Sequence, residues 1–357
     1  MNNVTKTIAA LLMFGLISTA TIGQNVMRKG LPLDSISKAY IDSVKKIPYE
    51  WHFPIMGDEI RKMGFDIPFP NGIMVNYVVG SQYISISNLS VGLHDDPDSF
   101  KNVDGIARFE QIKPFVNVIN VRYDVWLLPF IDLYVLGGYV HSKTDIKLAL
   151  PIQAEFTSES QGPMVGWGFV AAGGVGPLFA ELDYNMVWTF VQQLDKPSKA
   201  QVFDIRVGHT FKFKKRPWSN ISVLVGAEWL KLNAQSRGQA DLTQMFGGGT
   251  GGDPGGQQED LTDWYDELPQ KQQETFREFY ETFHSALGGE GDKYIYYDFD
   301  KKMPYAWSMT LGLNYQINHR YLLEAFYTFL GSRNQFQIGF NYRFGFKGKT
   351  ILEGVTF

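Results

Sequence analysis

An alternation of apolar and polar residues with a period of two runs through long segments of the chain and constrains its fold most strongly. From Tyr305 to Ile317 the odd-numbered positions are Tyr, Trp, Met, Leu, Leu, Tyr and Ile, and the even-numbered ones are Ala, Ser, Thr, Gly, Asn and Gln. Successive side chains of a β-strand point to opposite faces of the sheet, so this pattern predicts a strand with one apolar and one polar face. The predicted strands cover residues 72–90, 114–128, 130–147, 163–174, 177–191, 200–213, 220–233, 304–317, 320–331 and 334–346.

The length of these segments favours a membrane. Strands of globular proteins typically have about 5–6 residues, whereas a tilted strand needs about 9–11 residues to cross a bilayer. Lipid offers no hydrogen bonds to the backbone, so a spanning sheet must close on itself. We therefore predict an all-β fold, a transmembrane antiparallel up-and-down β-barrel of about ten strands.

The two faces differ in residue size, which indicates their orientation. The apolar face carries Trp, Tyr, Leu and Phe, while the polar face is rich in Gly, Ala, Ser and Thr. Small residues suit the crowded inside of a closed barrel, so we expect the apolar face to contact lipid. A soluble barrel would have the reverse polarity, and alternation alone leaves that alternative open.

Composition excludes several functional classes. The chain has no Cys, which rules out disulfides, thiol catalysis and thiolate zinc sites. Its net charge of -4 argues against nucleic-acid binding, which normally requires a basic face. We predict no cofactor and no metal.

The N-terminus has the pattern of a secretory signal. Lys6 precedes an apolar run over residues 8–22, and small residues follow, with cleavage expected after Gly23 or Ala20. A membrane anchor is the alternative, but the run is short for a span of about 20 residues. After this signal peptide (1–23), residues 24–70 are expected to form a periplasmic helical segment or plug, with helices over 33–46 and 57–63.

Connection lengths predict the orientation of the barrel. If the first strand runs outward, short turns fall on the periplasmic side and longer loops fall outside, as in outer-membrane barrels. The barrel is then expected over 71–346, with a Gly-rich and helical extracellular insertion at 237–303 and a periplasmic C-terminal tail at 347–357. The alternation of the first strand slips at Gly80-Ser81, which predicts a β-bulge.

The last predicted strand carries a recognisable motif. Gln337, Gly339, Tyr342 and Phe344 have the spacing polar, Gly, aromatic, aromatic. This stretch resembles the C-terminal recognition signal of Gram-negative bacterial outer-membrane β-barrel proteins. The resemblance implies a location in the cell outer membrane, contact with its lipid, and recognition by the barrel-assembly machinery. The chain departs from the family pattern because it continues after Phe344, and no residues assign a subfamily.

The predicted lumen is rich in charge, with seven acids and three arginines on inward positions. A ten-stranded barrel is narrow, and buried charges must be paired or hydrated. The residues therefore predict either a structural ion-pair network that fills the lumen or a small, cation-favouring pore or pocket. Four of the acids, at positions 124, 132, 181 and 183, lie on adjacent strands and are also candidate calcium ligands, although their spacing is only weakly indicative. The network consists of Arg122, Asp124, Asp132, Glu181, Asp183, Asp204, Arg206, Glu228, Glu324 and Arg343.

No catalytic residues are predicted. Omptin-type outer-membrane proteases also have ten strands and use acidic pairs with a His near the outer rim. The candidates here, His94-Asp95-Asp96 and His141, show no convergent set. We expect a protein that is not an enzyme.

The insertion contains the most unusual segment. A Gly-rich stretch precedes residues 260–287, which are predicted to form two helices broken at Pro269. Their aromatic face is expected either to pack as a lid on the barrel rim or to bind an unknown extracellular or periplasmic protein partner. This face consists of Trp264, Tyr265, Leu268, Phe276, Phe279, Tyr280 and Phe283.

Two functions lead at this level, and an outer-membrane enzyme is a third, less favoured hypothesis. The leading expectation is a narrow or gated small-solute channel whose N-terminal helices cover the periplasmic mouth. The alternative is a non-conducting structural or adhesion barrel that presents its insertion to a partner.

Overall fold

The computed structural model describes most of the barrel and its N-terminal segment. It covers residues 35–92, 94–104, 108–150, 154–191, 196–232, 235–241, 265–266, 268–274, 276–278 and 294–348. The predicted signal peptide and the tail beyond residue 348 lie outside these ranges, as does most of the predicted insertion.

Helices come first in the described chain and strands follow. Helices α1 (Ser35–Lys46) and α2 (Gly57–Lys62) confirm the two predicted N-terminal helices. Residues 270–274 and 276–278 are also helical, and neither these segments nor α1 and α2 are long and apolar enough to cross a membrane. The strands are β1 (Asn71–Gln82), β2 (Ser85–Gly92), β3 (Lys101–Asn102), β4 (Arg108–Leu128), β5 (Ile131–Leu150), β6 (Ala154–Val175), β7 (Leu178–Thr189), β8 (Ser198–Phe213), β9 (Arg216–Leu232), β10 (Gln235–Asp241), β11 (Tyr294–Lys302), β12 (Trp307–Gln316), β13 (Tyr321–Phe329) and β14 (Arg333–Phe344).

Ten of these strands close into an antiparallel barrel, in the order β1-β14-β13-β12-β9-β8-β7-β6-β5-β4. The prediction of a closed ten-stranded barrel is confirmed. Strand β14 pairs with β1 from Arg333 opposite Gln82 to Phe344 opposite Asn71, so the last strand closes the wall against the first. Short turns join the strands at the end of the barrel where β1 begins and β14 ends, and in outer-membrane barrels the short turns lie on the periplasmic side.

The apolar face of the wall points outward. Leu311 is 49% exposed, whereas its neighbour Thr310 is 1% exposed and faces the lumen. The same contrast separates Val121 from Asp124 on β4 and Ile338 from Asn341 on β14. A closed wall with an apolar outside and a polar inside is the arrangement of outer-membrane β-barrels.

The first strand differs from its prediction. Strand β1 ends at Gln82 rather than at residue 90, and its register is continuous through Gly80 and Ser81 with both neighbours. The predicted bulge is therefore wrong. The alternation slips there because the chain leaves the barrel soon afterwards and enters another sheet as β2.

That second sheet was not predicted, and its strand order is β10-β11-β2-β3. Strand β2 directly follows β1 in the chain, and β11 directly precedes β12. In the barrel wall, β13 and β14 lie between β1 and β12. Strands β1 and β12 are three strand spacings of 4.7–4.9 Å apart, which is about 14 Å. Their continuations β2 and β11 nevertheless pair directly. The two strands therefore converge above the short β13–β14 hairpin.

A single residue of the hairpin connection holds this convergence. The carbonyl of Ser332 accepts the N–H of Tyr83 at 2.7 Å, and its hydroxyl oxygen accepts the N–H of Tyr305 at 2.8 Å. Ser332 is buried. It therefore joins the end of β1 to the segment that leads into β12.

Candidate functional site

The candidate site is the barrel lumen with its two mouths. All ten predicted network residues lie on the inward-facing positions of their strands, and eight of them take part in three ion-pair clusters. The first lies at the periplasmic end: Arg343 binds Asp124 at 2.9 Å, and Arg122 lies 3.6 Å from Asp124 and 3.4 Å from Asp132. The side chain of Asp124 is 0% exposed. These buried carboxylates therefore depend on the arginines for compensation.

The second cluster centres on Arg206. Its guanidinium binds Glu181 at 2.9 Å and Asp204 at 3.0 Å, and it lies 4.4 Å from the ring centre of Phe326. Asp183 accepts a hydrogen bond from the hydroxyl of Tyr134 at 2.6 Å, so it is bound outside the arginine pairs.

The third cluster lies toward the outer end, where Arg333 forms a buried ion pair with Glu228. Glu324 is not part of this cluster: it faces the lumen from the middle of β13, opposite Asn314 and Gly339, near the arginines of the first two clusters. Arg333 was not predicted as a lumen residue, because the predicted last strand begins at residue 334. Arg333 lies an even number of residues from Arg343, so both face the same side of β14, and this spacing is the signal that could have identified it.

Glycines on intervening strands let these side chains reach over a neighbouring strand inside the lumen. A Cβ at Gly72 of β1 would lie 2.6 Å from Asp124 Oδ1, so the absence of a side chain gives this carboxylate room to reach Arg343. A Cβ at Gly168 would likewise lie 2.5 Å from the ring of Tyr134, which crosses toward Asp183. The small residues of the inner face thus make space for the network.

The lumen is filled at the level of these clusters. A water-sized sphere barely reaches Met74, Ser222, Leu224 or Gln316, which face inward on three different strands. Packing of this kind leaves side-chain contacts where an open pore would have water.

The N-terminal segment packs into the mouth of the barrel at the end with the short turns. Ile60 and Ile67 form an apolar cluster with Tyr49, Phe65 and the inward-facing Trp126. Arg343 also donates from Nε to the carbonyl of Phe69 at 2.8 Å and from a terminal nitrogen to the carbonyl of Pro70 at 3.3 Å. The residue that neutralises Asp124 therefore also holds the segment in the mouth.

A second polar contact holds the segment to a periplasmic turn of the barrel. Asp66 lies 2.8 Å from Nε2 of His319 and accepts a hydrogen bond from the Tyr40 hydroxyl. Burial disfavours the charged carboxyl, but the bonds from His319 and Tyr40 outweigh it and hold the pKa of Asp66 below its ordinary value. Burial and the adjacent Asp66 raise the pKa of Tyr40, so its hydroxyl stays a donor.

The extracellular side carries the second sheet and part of the predicted lid. Phe276 packs on a cluster around Leu89 and Val103, and its ring lies 5.6 Å from that of Tyr265. Lys101 forms an ion pair with Glu278. Leu268 is half-buried, while Trp264, Phe279, Tyr280 and Phe283 lie outside the described residues. In the described part of the aromatic face, Phe276 thus packs on the second sheet and Tyr265 packs on Phe276.

Other candidates have ordinary surroundings. Within the described ranges no group of three or more His, Asp or Glu side chains is arranged to hold a metal. The candidate calcium ligands have other partners: Arg122 binds Asp132, Arg206 binds Glu181, and Tyr134 donates to Asp183. His94 is exposed in a loop.

The residues that resemble the C-terminal recognition signal lie on β14, the strand that closes the barrel. Gly339 pairs with Asn76, and Tyr342 pairs with Ile73 and Tyr321. The start of the tail turns back to the N-terminal segment: Gly348 N–H donates to the carbonyl of Glu50, and Lys347 pairs with the Glu50 carboxylate at 2.8 Å.

No protein-family model and no curated protein matches the sequence. Among solved structures, the β-domain of the Bordetella autotransporter BrkA matches 77% of this chain and 100% of its own length, with 8% identity and a TM-score of 0.34. The translocator domain of the autotransporter NalP from Neisseria meningitidis matches 95% of this chain and 98% of its own, with 10% identity and a TM-score of 0.32. The Ralstonia pickettii toluene transporter TbuX matches 78% and 90%, with 8% identity and a TM-score of 0.27.

Likenesses at this level concern the barrel fold alone. The closed wall and the apolar outer belt are features of this chain itself. The protein is an outer-membrane β-barrel.

Proposed function

We propose that this protein is a non-conducting outer-membrane barrel that presents its second sheet and lid to a partner outside the cell. The observation that carries the proposal is the packed lumen, in which buried arginines pair with carboxylates in three clusters. Opening a pore would expose buried carboxylates and break their pairs, which costs about 3–5 kcal/mol for each pair that loses one partner.

The extracellular architecture supports the second half of this proposal. Strands that leave the wall could have ended in short turns, but here they form a four-stranded sheet with its own apolar cluster. A folded surface element of this kind is a suitable platform for protein contacts.

Conductance tests the closed lumen. We expect purified barrels in planar bilayers to give no unitary currents, and we expect the same after deletion of residues 35–66, because the clusters around Arg206 and Arg333 still fill the lumen. Heat-dependent gel migration verifies that each protein is folded. Steady currents from the intact chain would refute the proposal.

A gated small-solute channel is the second candidate. The excess of acids over arginines in the lumen favours it, because such a path would select cations. Currents that appear only after removal of residues 35–66 would support this candidate and contradict the closed barrel.

The display role needs a variant without the lid. Asp241 and Tyr294 are paired directly across β10 and β11, so a two-residue Asn-Gly turn can replace residues 242–293 and leave the sheet intact. Crosslinking on intact cells should give protein adducts with the full chain and lose them with this variant. Adducts that persist unchanged would contradict presentation by the lid.

A further inference from the structure

The periplasmic rim of the barrel wall has a gap beside its first strand. Asn71 begins β1, but both neighbours continue farther toward the periplasm, β4 to Leu128 and the chain after β14 through Phe346. The residues before Asn71 turn into the mouth, where Arg343 binds the carbonyls of Phe69 and Pro70. The position that an earlier start of β1 would occupy is therefore left to another part of the chain.

Residues 52–55 bridge this gap at its lower edge. The N–H of His52 donates to the carbonyl of Phe346 at 3.3 Å, and the N–H of Ile55 donates to the carbonyl of Leu127 at 2.9 Å. Between the bridge and Asn71 lies a groove of about 310 Å³. Its walls are formed mainly by His52, Phe53, Asn71, Tyr123, Val125 and Phe346.

The groove opens toward the bilayer. Tyr123 and Val125 occupy lipid-facing positions of β4, and Phe346 is exposed on the other side. The Tyr123 hydroxyl donates to Asn71 Oδ1 at 2.9 Å, so these two polar groups satisfy each other. Apart from His52, the remaining lining residues are apolar and suited to hydrocarbon. The volume of the groove lies near the lower end of the range for small-ligand sites, about 300–1,000 Å³.

The rim beside the groove carries two opposite charges. Lys347 directly follows Phe346, and its ammonium lies 2.8 Å from the carboxylate of Glu50. Both side chains are largely exposed at the periplasmic edge. A zwitterionic phospholipid headgroup offers a phosphate and an ammonium, which are the counterparts of these two groups.

We propose that the groove binds one acyl chain of a zwitterionic diacyl phospholipid from the periplasmic leaflet, with the headgroup at Lys347 and Glu50. The groove is continuous with the lipid-facing belt, so its occupant arrives from the surrounding leaflet. The site differs from ordinary annular contact because the N-terminal segment supplies one wall of the groove and separates the bound acyl chain from the bulk bilayer.

Lipid retention tests the proposal. The full chain, purified in detergent with phosphatidylethanolamine, should retain one phospholipid in native mass spectrometry. Val125→Trp fills the groove and should reduce retention at least about tenfold, because the acyl chain can no longer be buried there. Val135→Trp is the matched control, since Val135 is a lipid-facing residue of β5 outside the groove, and it should retain the lipid.

Photocrosslinking gives a measurement that needs no variant. A phosphatidylethanolamine with a diazirine at the end of its acyl chain should label peptides containing residues 123–125 and 346 of the unmodified protein. Uniform labelling of the belt, or equal retention by both Trp variants, would show annular lipid only and overturn the site. Preference for phosphatidylglycerol would overturn the headgroup assignment. Retention only by a chain ending at Gly348 would show that the chain's own tail occupies the groove.

Discussion

Replacing Arg343 tests the link between the lumen network and the N-terminal segment. Arg343→Met removes the partner that lies 2.9 Å from Asp124, a carboxylate that is 0% exposed. Arg122 remains, but at 3.6 Å and shared with Asp132. Breaking a buried pair by removing one partner typically costs about 3–5 kcal/mol, so we expect a loss of that size in the free energy of unfolding.

A double variant separates the charge effect from lost packing. Adding Asp124→Asn to Arg343→Met removes the uncompensated charge, and the Asn side chain retains a hydrogen-bonding partner in Asn341. Most of the loss should then be recovered, by at least about 2 kcal/mol, because replacing both members of a buried pair is often nearly neutral. Arg216→Met, at the exposed first residue of β9, is the control and should stay within about 0.5 kcal/mol of the unmodified protein.

Urea titration in lipid vesicles, followed by fluorescence of the 8 tryptophans, measures these differences. The reasoning would be refuted if Arg343→Met lost less than about 1 kcal/mol. It would also be refuted if the double variant were no more stable than the single one, because the cost would then have come from packing.

Three further predictions concern separate parts of the molecule. The depressed pKa of Asp66 stabilises docking of the N-terminal segment above the ordinary pKa of about 3.9, and this stabilisation is lost as pH falls through the folded value. A spin label at Ser43→Cys should therefore become more mobile in acid. Asp66→Asn should abolish this pH dependence. Phe344→Ala should reduce the assembled fraction in cells, measured by heat-dependent gel migration, and normal levels would contradict recognition of the motif. Gly331 has φ +71°, and a Cβ there would lie 2.1 Å from a carbonyl, so Gly331→Ala should cost at least about 1–2 kcal/mol in urea titration. Gly137→Ala is the control and should not, because the nearest atom to a Cβ there lies 3.9 Å away, at ordinary contact distance.

The barrel and its inner face were predictable because a period of two fixes which side of the wall each residue faces. Arg122 and Asp124 share a face whatever register their strand adopts, and so do Asp204 and Arg206. Which acid binds which arginine depends on register between strands, and on glycines such as Gly72 that let a side chain cross a strand. Neither is visible in the alternation of one strand.

The second sheet escaped prediction for a different reason. Strand β10 (QSRGQAD) has no apolar face, so its pairing with β11 determines its structure. Strand β11 changes register against β2 between Asp298 and Asp300, which breaks its alternation. Outside the bilayer no hydrocarbon enforces a period of two, so sequence patterns there are weaker.

The start of β1 at Asn71 connects features that would otherwise seem independent. Because the preceding residues turn inward, the carbonyls of Phe69 and Pro70 become available to Arg343, and the apolar residues around Ile67 fill the mouth. The same turn leaves the gap in the wall that His52 and its neighbours bridge, which forms the lipid-facing groove. Closure of the mouth and formation of the groove therefore depend on one docked segment. Any condition that releases this segment should change lipid retention and solvent access to the mouth together.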